Sequence, residues 1–482
     1  MVLNAELVET GLVKNIIHYT NTWAQFQGPG LYQARDMLSY RKKGYTFTQA
    51  YRRGHWDGYV RLLTPNGRFA AGLVPWLVEQ FEKEGLPVEV KDERPKLHWD
   101  AMGEEFGNFS GSVELRSYQE EAIQTAIKEE RGGIQHPTGA GKTVVMCELT
   151  RRIGYRALIL VHRKDLLTQT INSFKEQLKT DKIGIIGDGK WHPEEITVAM
   201  FQTLYRRLID YPNDVVSWLA TIGQVHVDEA HHLPAETYGK VMGFLPNALF
   251  RFGYSATMFK DEKDKETMFK VMSWTGPIIH SEESADLIKD EKLVPTTIFM
   301  INTPDINTSF TSYQEATTIG IVNNDKRNTK IISLAKKLDE SNTGPILILT
   351  ERVLHGRYLS QVLQCPFLEG ETPGLKREEV WKGIKTGRIN LVVASKIADE
   401  GLDIPNMRVL ILGGGGKSPH LSIQRIGRGM RISKGKDRLF VIDFLDKGKY
   451  VGAHAKQRLK TYKSNPAWEV VEVNFEEIIN AL

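Results

Sequence analysis

From about residue 115 onward, hydrophobic residues recur as short runs of Val, Ile and Leu, separated by stretches with helical spacing. Such near-continuous apolar runs are typical of parallel strands that are covered on both faces. The runs predict strands at Ala157–Val161, Ile183–Ile186, Thr197–Met200, Gln224–Val227 and Arg251–Tyr254, and then at Thr297–Ile301, Ile346–Leu349, Leu391–Ala394, Val409–Leu412 and Leu439–Phe444. Helical periodicity lies between them, as in 164–179 and 328–340. The pattern predicts an α/β chain with two doubly wound parallel sheets in tandem.

The region before residue 114 has a different rhythm, with short segments interrupted by glycines. We predict a small α+β accessory domain there. The pair Asn66-Gly67 lies between apolar segments 59–63 and 69–73, which predicts a hairpin turn. The predicted domains are 1–110, 111–295 and 296–450, followed by an extension over 451–482. The extension is expected to form a helix and a strand packed on the second sheet.

The 482 residues suffice for two or three domains. No apolar run approaches the roughly 20 residues that span a bilayer, and no basic segment followed by an apolar one opens the chain. We therefore expect no membrane partner and a cytoplasmic location. The only two cysteines, Cys147 and Cys365, argue against a disulfide framework and against a cysteine-rich zinc site.

Charge is unevenly distributed along the accessory region. Residues 31–68 contain eight Lys or Arg against two Asp, interleaved with aromatic residues, whereas residues 79–106 contain nine acids against four bases. This sequence of charges indicates a binding face followed by a solvated boundary.

A phosphate-binding loop is indicated by the residues His-Pro-Thr-Gly-Ala-Gly-Lys-Thr at 136–143, which follow a possible strand and open an apolar helix. Glycines allow backbone N–H groups to surround phosphate oxygens, and the helix N-terminus adds further donors. Lys142 is expected at the β- and γ-phosphates, and Thr143 at Mg²⁺. The predicted ATP-binding residues of this loop are Pro137, Thr138, Gly139, Ala140, Gly141, Lys142 and Thr143.

A pair of acids follows the apolar strand at 224–227. In the sequence Asp-Glu-Ala-His-His at 228–232, Asp228 is expected to hold Mg²⁺ and Glu229 to act as the general base toward water. His231 and His232 lack a third metal ligand nearby, so coupling or packing is the favoured role for both.

Together these motifs resemble those of superfamily 2 helicases and translocases. The resemblance implies two RecA-like domains and extends over Leu115–Gln119, where Gln119 would read adenine, and over Ser255-Ala256-Thr257, which would link hydrolysis to domain closure. It also implies that Gly401 and Asp403, within the segment 394–405, lie near the nucleotide.

The segment 424–431, Gln-Arg-Ile-Gly-Arg-Gly-Met-Arg, resembles the last helicase motif. Arg428 and Arg431 are three residues apart and would share one helix face. An arginine finger can speed phosphoryl transfer by about 10³–10⁵-fold. The resemblance implies that Gln424, Arg428 and Arg431 take part in ATP hydrolysis.

A translocase must hold the sugar-phosphate backbone without reading bases. Candidate contacts lie in loops that follow strands, and each is as readily explained as a solvated loop. They are Arg163, Gln202, Thr203, Arg352, Ser395 and Lys396.

The stretch 51–63 resembles the N-terminal domain of phage UvsW-type helicases, a group related to XPB-like and restriction-type translocases. The resemblance implies action on branched DNA, with Arg52, Arg53 and Arg61 on phosphates and Trp56 as a stacking or wedging residue. Trp56, Tyr51 and Tyr59 are also candidates for the core of this domain. A phage-encoded chain would act in the host cytoplasm.

The predicted function is therefore that of an ATP-hydrolysing DNA helicase with an Asp-Glu-Ala-His box. It would unwind or branch-migrate forks and Holliday junctions in replication, recombination or repair. ATP and Mg²⁺ are the expected cofactors, and branched DNA and replication or recombination proteins are the expected partners. The alternatives are an RNA helicase, the motor subunit of a restriction complex, and a passive binding module.

Overall fold

The computed structural model describes residues 14–95, 114–233, 236–259, 264–303, 310–395, 406–416 and 419–481. These residues form two compact units. The first contains the described residues up to 136 together with 141–282, and the second contains 283–481 together with 137–140. Within the described part of the chain, no helix combines the length and the apolar composition that crossing a bilayer requires.

The first unit contains an eight-stranded sheet in the order β10-β9-β11-β8-β12-β13-β7-β14. Its strands are β7 (Arg131–Gln135), β8 (Ala157–Val161), β9 (Ile183–Gly187), β10 (Lys190–His192), β11 (Ile196–Met200), β12 (Gln224–Asp228), β13 (Phe250–Ser255) and β14 (Ile278–Ser281). All pairings are parallel except that of β10 with β9. The predicted strands of this half are confirmed, and fully buried runs such as 157–161 explain why the apolar signal was clear.

Helices connect these strands and cover both faces of the sheet. They are α4 (Ser117–Glu129), α5 (Lys142–Ile153), α6 (Lys164–Leu178), α7 (Phe201–Asp210), α8 (Pro212–Leu219), α9 (Glu236–Met242) and α10 (Lys265–Thr275). One hydrophobic cluster lies around Phe174 and another around Tyr238. The parallel order brings the ends of β11, β8, β12 and β13 to the same edge, where the loops after these strands meet.

The second unit contains a seven-stranded parallel sheet in the order β17-β18-β16-β19-β20-β15-β21. Its strands are β15 (Thr296–Asn302), β16 (Ile346–Leu349), β17 (Phe367–Leu368), β18 (Leu391–Ala394), β19 (Val409–Leu412), β20 (Leu439–Leu445) and β21 (Trp468–Val473). Its helices are α11 (Ser284–Lys289), α12 (Tyr313–Thr317), α13 (Asp325–Glu340), α14 (Val353–Leu363), α15 (Gly374–Lys385), α16 (Pro419–Gly429), α17 (Val451–Lys463) and α18 (Phe475–Ala481). The expectation of two RecA-like α/β domains is confirmed.

The expected C-terminal helix and strand are both present. Strand β21 pairs in parallel with β15 and forms one edge of the second sheet, so residues 468–473 are an integral part of that sheet. Trp468 and Val473 are buried at its two ends.

The accessory region has a four-stranded sheet in the order β5-β2-β1-β6 and a separate pair, β3-β4. Its elements are β1 (Asn15–Tyr19), β2 (Trp23–Gln27), α1 (Leu31–Met37), β3 (Ser39–Arg41), α2 (Gln49–Arg52), β4 (Tyr59–Arg61), β5 (Arg68–Ala70), α3 (Val74–Lys83) and β6 (Val88–Asp92).

The predicted hairpin around Asn66-Gly67 is wrong. Strand β4 pairs with β3, and β5 pairs with β2, so the two flanking segments do not pair with each other. A turn does form, because the Gly67 amide donates to the carbonyl of Thr64 over 2.9 Å and Gly67 has a φ of 88°. The turn therefore changes the direction of the chain between two different sheets.

The accessory domain shares a hydrophobic core with the first sheet. Phe26, Phe69 and Phe81 belong to the same buried cluster as Phe269 and Met272 of α10. Buried polar contacts add to it. The Arg251 guanidinium donates to the Thr22 hydroxyl over 2.8 Å, and the Thr22 hydroxyl donates to the Leu245 carbonyl over 2.9 Å. The accessory domain and the first sheet therefore belong to one compact unit.

Candidate nucleotide and nucleic-acid site

The phosphate-binding loop follows β7 and leads directly into α5. Gly139 and Gly141 adopt φ values of 90° and 81°, in the left-handed region that glycine enters without steric cost. At Gly141 a side chain would also collide with the Gln119 amide, since an added Cβ would lie 2.4 Å from its nitrogen. Lys142 Nζ donates to the carbonyl of His136 over 3.1 Å. Gln119, for which adenine recognition was predicted, is buried next to this loop.

His136 occupies a loop position where the helicase pattern has a small residue. It is fully buried, and its Nε2 lies 2.9 Å from Nδ1 of His280 at the end of β14. Its ring also packs edge-on against Tyr118. Burial, followed by the proximity of His280 and Lys142, lowers the pKa of His136 to about 3, so the ring is neutral at physiological pH. The larger residue is therefore accommodated by partners from α4 and β14.

The two predicted catalytic acids lie at the end of β12, and the Glu229 amide donates to Asp228 Oδ1 over 3.0 Å. Burial, then the neighbouring Glu229 carboxylate, raises the pKa of Asp228. Burial also opposes ionisation of Glu229, but the His231 hydrogen bond and the charge of Lys142 lower its pKa. Glu229 is therefore the ionised member of the pair, which suits the role of a base toward water.

Glu229 has an unusual backbone conformation, with a φ of 50° and a ψ of 54°. A non-glycine residue in this region costs on the order of 1 kcal/mol, and such residues concentrate at functional sites. The conformation begins a single 3₁₀ turn, Ala230–His232. His231 Nδ1 lies 3.3 Å from Glu229 Oε2 and 3.0 Å from the Ser255 hydroxyl. The side chain of Ser255 in turn donates to the carbonyl of Thr257 over 2.9 Å.

The candidate nucleic-acid loops of the first unit lie at the same edge of the sheet. Arg163 precedes α6, and Gln202 and Thr203 lie in the first turn of α7. The exposed Gln202 amide donates to the carbonyl of His162 over 3.0 Å, which joins the loop after β8 to the loop after β11. The structure thus brings these three predicted residues to one edge.

The corresponding edge of the second unit is held by buried ion pairs. Arg327 Nε donates to Asp446 over 2.8 Å, and Arg458 Nε donates to Asp443 over 2.8 Å. The same arginines donate to the carbonyls of Gly413 (2.6 Å) and Gly416 (2.8 Å), so both ends of the glycine-rich loop after β19 are anchored.

Of the predicted nucleic-acid contacts in this unit, Arg352 is exposed at the start of α14. Ser395 is only 6% exposed, and its amide donates to the carbonyl of Leu368. Lys396, Gly401 and Asp403 lie outside the described residues, as do the side chains of Gln424 and Arg428.

Arg431 follows α16 and pairs with Leu293 in an isolated bridge. The buried Lys436 ammonium donates to the carbonyls of Gly429 and Arg431, which closes this end of the helix. Residues 137–140 of the phosphate-binding loop belong to this unit, and a Cβ added to Gly139 would lie 3.2 Å from both Arg431 Cγ and the Gly427 carbonyl oxygen.

The predicted DNA-binding side chains of the accessory domain differ in exposure. Arg52 and Arg53 are exposed, whereas Arg61 is partly buried and forms a 2.5 Å ion pair with Asp57. Trp56 is partly buried, lies outside the hydrophobic cluster of the domain, and donates through Nε1 to the carbonyl of Tyr59. Tyr51 and Tyr59 also lie outside this cluster, and Tyr59 is 38% exposed, so the interpretation of Trp56, Tyr51 and Tyr59 as core residues is wrong.

Three family models match the chain in succession. They are described as DNA helicase UvsW, N-terminal (residues 6–90), Type III restriction enzyme, res subunit (residues 112–260) and Helicase conserved C-terminal domain (residues 329–433). The chain belongs to the superfamily 2 helicases. Its accessory domain is of the UvsW type.

Several relatives of this superfamily 2 helicase align over most of its length. The DNA 3'-5' translocase XPB2 of Sulfurisphaera tokodaii is 28% identical over 70% of this chain and 82% of its own. The ATP-dependent DNA helicase uvsW of Enterobacteria phage T4 is 24% identical over 86% of each chain. The putative ATP-dependent helicase IRC3 of Saccharomyces cerevisiae is 26% identical, and here the alignment covers 69% of this chain but only 51% of the relative.

Among solved structures, S. cerevisiae Dbp5 bound to RNA and ADP BeF3 aligns with a TM-score of 0.55 and 17% identity, covering 76% of this chain and 92% of the other. At this identity the likeness supports the fold alone.

Sequence reasoning missed two groups of residues in this superfamily 2 helicase. His280 was not recognised as the partner of His136, and His162 was not recognised as a neighbour of His232. The ring centroids of His162 and His232 lie 4.1 Å apart. An available signal was a histidine directly after a buried strand, which applies to His136 after β7 and to His162 after β8. No group of three or more His, Cys, Asp or Glu that could hold a metal ion occurs among the residues the structure describes.

Proposed function

We propose that this superfamily 2 helicase hydrolyses ATP to unwind or branch-migrate branched DNA, such as replication forks and Holliday junctions. The observation that carries the proposal is the half-buried acid pair at the end of β12, which lies in the same unit as Lys142 at the start of α5. Glu229 has a lowered pKa and a strained backbone, two features that concentrate at catalytic sites. They therefore favour an enzyme over a passive binding module.

In the proposed hydrolysis, each residue acts on a particular group of ATP or on the attacking water. The backbone of residues 137–143 and Lys142 bind the phosphates, and Gln119 recognises the adenine. Glu229 orients the attacking water and accepts its proton. Thr143 and Asp228 would hold Mg²⁺. Burial and then the Glu229 carboxylate raise the pKa of Asp228, and a divalent cation bound there would favour its ionised form. When bound, the ion neutralises charge on the transferred phosphoryl group.

We assign Arg428 within α16 and Arg431 just after it to the transition state. Arg431, together with Arg428 and Gln424 of the same motif, would stabilise charge on the γ-phosphoryl oxygens. The assignment is supported by the small space between Gly139 and Arg431, since a Cβ added to Gly139 would lie 3.2 Å from Arg431 Cγ. Gly401 and Asp403 complete the proposed nucleotide site.

DNA is the proposed polymer, because two relatives bear names that specify a DNA helicase or a DNA translocase. Arg163, Gln202, Thr203, Arg352, Ser395 and Lys396 would hold the backbone. The UvsW-type accessory domain would contact the branch through Arg52, Arg53 and Arg61, with Trp56 against a base pair. Replication, recombination or repair proteins are the partners this activity implies.

A substrate panel tests the proposal. The rate of ATP hydrolysis is measured with forked DNA, a four-way DNA junction, single-stranded DNA, plain duplex DNA and structured RNA. We expect the largest stimulation with forks and junctions. Equal or greater stimulation by structured RNA would replace the DNA assignment with that of an RNA helicase.

The motor subunit of a restriction complex is a second candidate function. It is favoured by the match of residues 112–260 to the res-subunit family model. Such a motor would need a separate nuclease subunit, and it would be stimulated by plain duplex as strongly as by forks. The same panel therefore separates the two candidates.

A further inference from the structure

Four loops at one edge of the first sheet are connected through side chains. The strand order β11-β8-β12-β13 brings together Gln202 after β11, His162 after β8, Glu229 after β12 and Ser255 at the end of β13. The first two loops carry candidate nucleic-acid contacts, and the last two carry the catalytic base and its hydrogen-bonding neighbours. The loops with candidate nucleic-acid contacts and the loops around Glu229 therefore follow neighbouring strands of this sheet.

Three histidine rings form the contacts along that route. The ring centroids of His162 and His232 are 4.1 Å apart, and those of His232 and His231 are 4.2 Å apart. His231 then reaches Glu229 over 3.3 Å and Ser255 over 3.0 Å. We call His162, His232 and His231 the histidine stack.

Two features allow the histidine stack to transmit a displacement. His162 is fixed by its backbone, because its carbonyl accepts the Gln202 hydrogen bond, while its buried Nδ1 has no hydrogen-bond partner among the described residues. Its ring can therefore shift without breaking a side-chain hydrogen bond. His231 and His232 lie in the single 3₁₀ turn that begins directly after Glu229, so a movement of either ring acts on the backbone next to the base.

The hydrogen bonds at the far end of the stack have a defined direction. The Ser255 hydroxyl donates to the carbonyl of Thr257, so it accepts from His231 Nδ1–H. This fixes the proton of His231 on the nitrogen that also faces Glu229. A rotation of the His231 ring would change the hydrogen bonding of Glu229 and Ser255 together.

We propose that His162 and His232 are positioning residues that couple polynucleotide binding at the loops after β8 and β11 to the placement of Glu229. The inference rests on the proposed function, because it requires ATP hydrolysis that is stimulated by nucleic acid. Backbone contacts at Arg163 and Gln202 shift His162, His162 shifts His232, and the 3₁₀ turn carries the change to Glu229. His162 and His232 touch neither ATP nor DNA in this arrangement.

The test compares ATP hydrolysis rates without DNA and with saturating forked DNA for the wild type, His162→Ala, His232→Ala, His162→Phe and the exposed control His192→Ala. We expect both stack alanine variants to lower the ratio of stimulated to basal rate at least about fivefold, the low end of coupling between two sites. The DNA concentration giving half-maximal stimulation should change less than the ratio. His162→Phe retains a ring and should recover part of the ratio, and His192→Ala should match the wild type.

The double variant His162→Ala/His232→Ala should have the same ratio as either single variant, because the two rings belong to one path. Equal losses of basal and stimulated rates, or an unchanged ratio in both alanine variants, would overturn the inference while leaving the proposed function intact. A wild type whose hydrolysis no nucleic acid stimulates would overturn the proposed function and the inference with it.

Discussion

The two units use the same alternation of strand and helix but stabilise their functional edges with different chemistry. In the first unit, the loops after β8 and β12 meet through the uncharged rings of His162 and His232. In the second unit, the loop after β19 is held by Arg327 and Arg458, each paired with a buried aspartate. Neutral rings in contact can move relative to each other at small energetic cost. Separation of a buried ion pair is costly, because it leaves an uncompensated charge inside the fold. From this difference we expect the first edge to adjust during the proposed ATP cycle and the second edge to stay fixed.

The two edges also differ in how they use carboxylate side chains. The first edge carries Asp228 and Glu229, for which we propose roles toward Mg²⁺ and water. The second edge uses its aspartates, Asp443 and Asp446, to hold arginines within the fold. Acids at strand ends therefore have a proposed catalytic role in one unit and a structural one in the other.

The largest expected effect separates these two uses of carboxylates. Glu229→Gln should retain ATP binding and lower the maximal hydrolysis rate by about 10²–10⁴-fold, the usual contribution of a general base. Glu351→Gln, which follows β16 in the second unit, should change the rate little. The measurements are steady-state hydrolysis and fluorescent-nucleotide binding. Retained turnover in Glu229→Gln would remove the base assignment.

The second prediction concerns the fixed edge. Asp443→Asn leaves the buried Arg458 guanidinium without its charge partner and should lower the free energy of unfolding by about 3–5 kcal/mol. Glu469→Gln breaks the exposed pair with Arg438 and should lower it by about 1 kcal/mol or less. Urea denaturation measures both. Similar small losses would mean that the second edge is no more rigid than the first.

Acid should affect the first unit before the second. Burial lowers the pKa values of His136, His226 and His232 to about 3 and that of His162 to about 4. Because the unfolded chain binds these protons near pH 6.5, the folded unit loses up to about 1.4 kcal/mol per histidine for each pH unit below that value. Stability is fully retained above pH 6.5 and falls as the pH drops toward 4.

In the second unit, burial lowers the pKa of His355 to about 3 but raises that of Asp446, so one group loses and the other gains stability in acid. Hydrogen exchange at pH 7.0 and pH 5.5, corrected for intrinsic rates, should show greater loss of protection in peptides from the first unit. Equal loss in both units would contradict the comparison.

The smallest predicted effect concerns the accessory domain, which belongs to the first unit. Arg52→Ala or Arg53→Ala should weaken binding to forked DNA a few-fold and reduce the dependence of log affinity on log salt by roughly one, as expected for one lost phosphate contact. Lys91→Ala, at an exposed position on β6, serves as the control. Fluorescence anisotropy over a salt series measures the slope. An unchanged slope in both arginine variants would remove the accessory face from the DNA contacts.

Periodicity was enough to predict both sheets, and short motifs were enough to predict the strand ends at which the proposed nucleotide-binding residues lie. Buried parallel strands such as 157–161 and 409–412 contain nothing but apolar residues, so their signal does not depend on tertiary context. The phosphate-binding loop and the acid pair are local in sequence, and each lies at a strand end where the motif predicts it. The side-chain roles proposed for these residues remain predictions.

Contacts between distant residues could not be predicted in the same way. His162 and His232 are 70 residues apart and meet only because β8 and β12 are neighbours in the sheet. The hairpin prediction at Asn66-Gly67 was wrong for the same reason. The flanking strands β5 and β4 pair with β2 and β3, respectively, and not with each other. Trp56 lies outside the hydrophobic cluster of the accessory domain, which composition alone did not indicate.

The most direct test of the account is the displacement of a labelled strand from a forked DNA by the purified chain in the presence of ATP and Mg²⁺. We predict displacement or branch movement by the wild type and by the exposed-site control Lys182→Ala, and none by Lys142→Ala, which lacks the charge assigned to the phosphates. A wild type that moves no strand on any fork, or a Lys142→Ala variant that moves strands at the wild-type rate, would contradict the account.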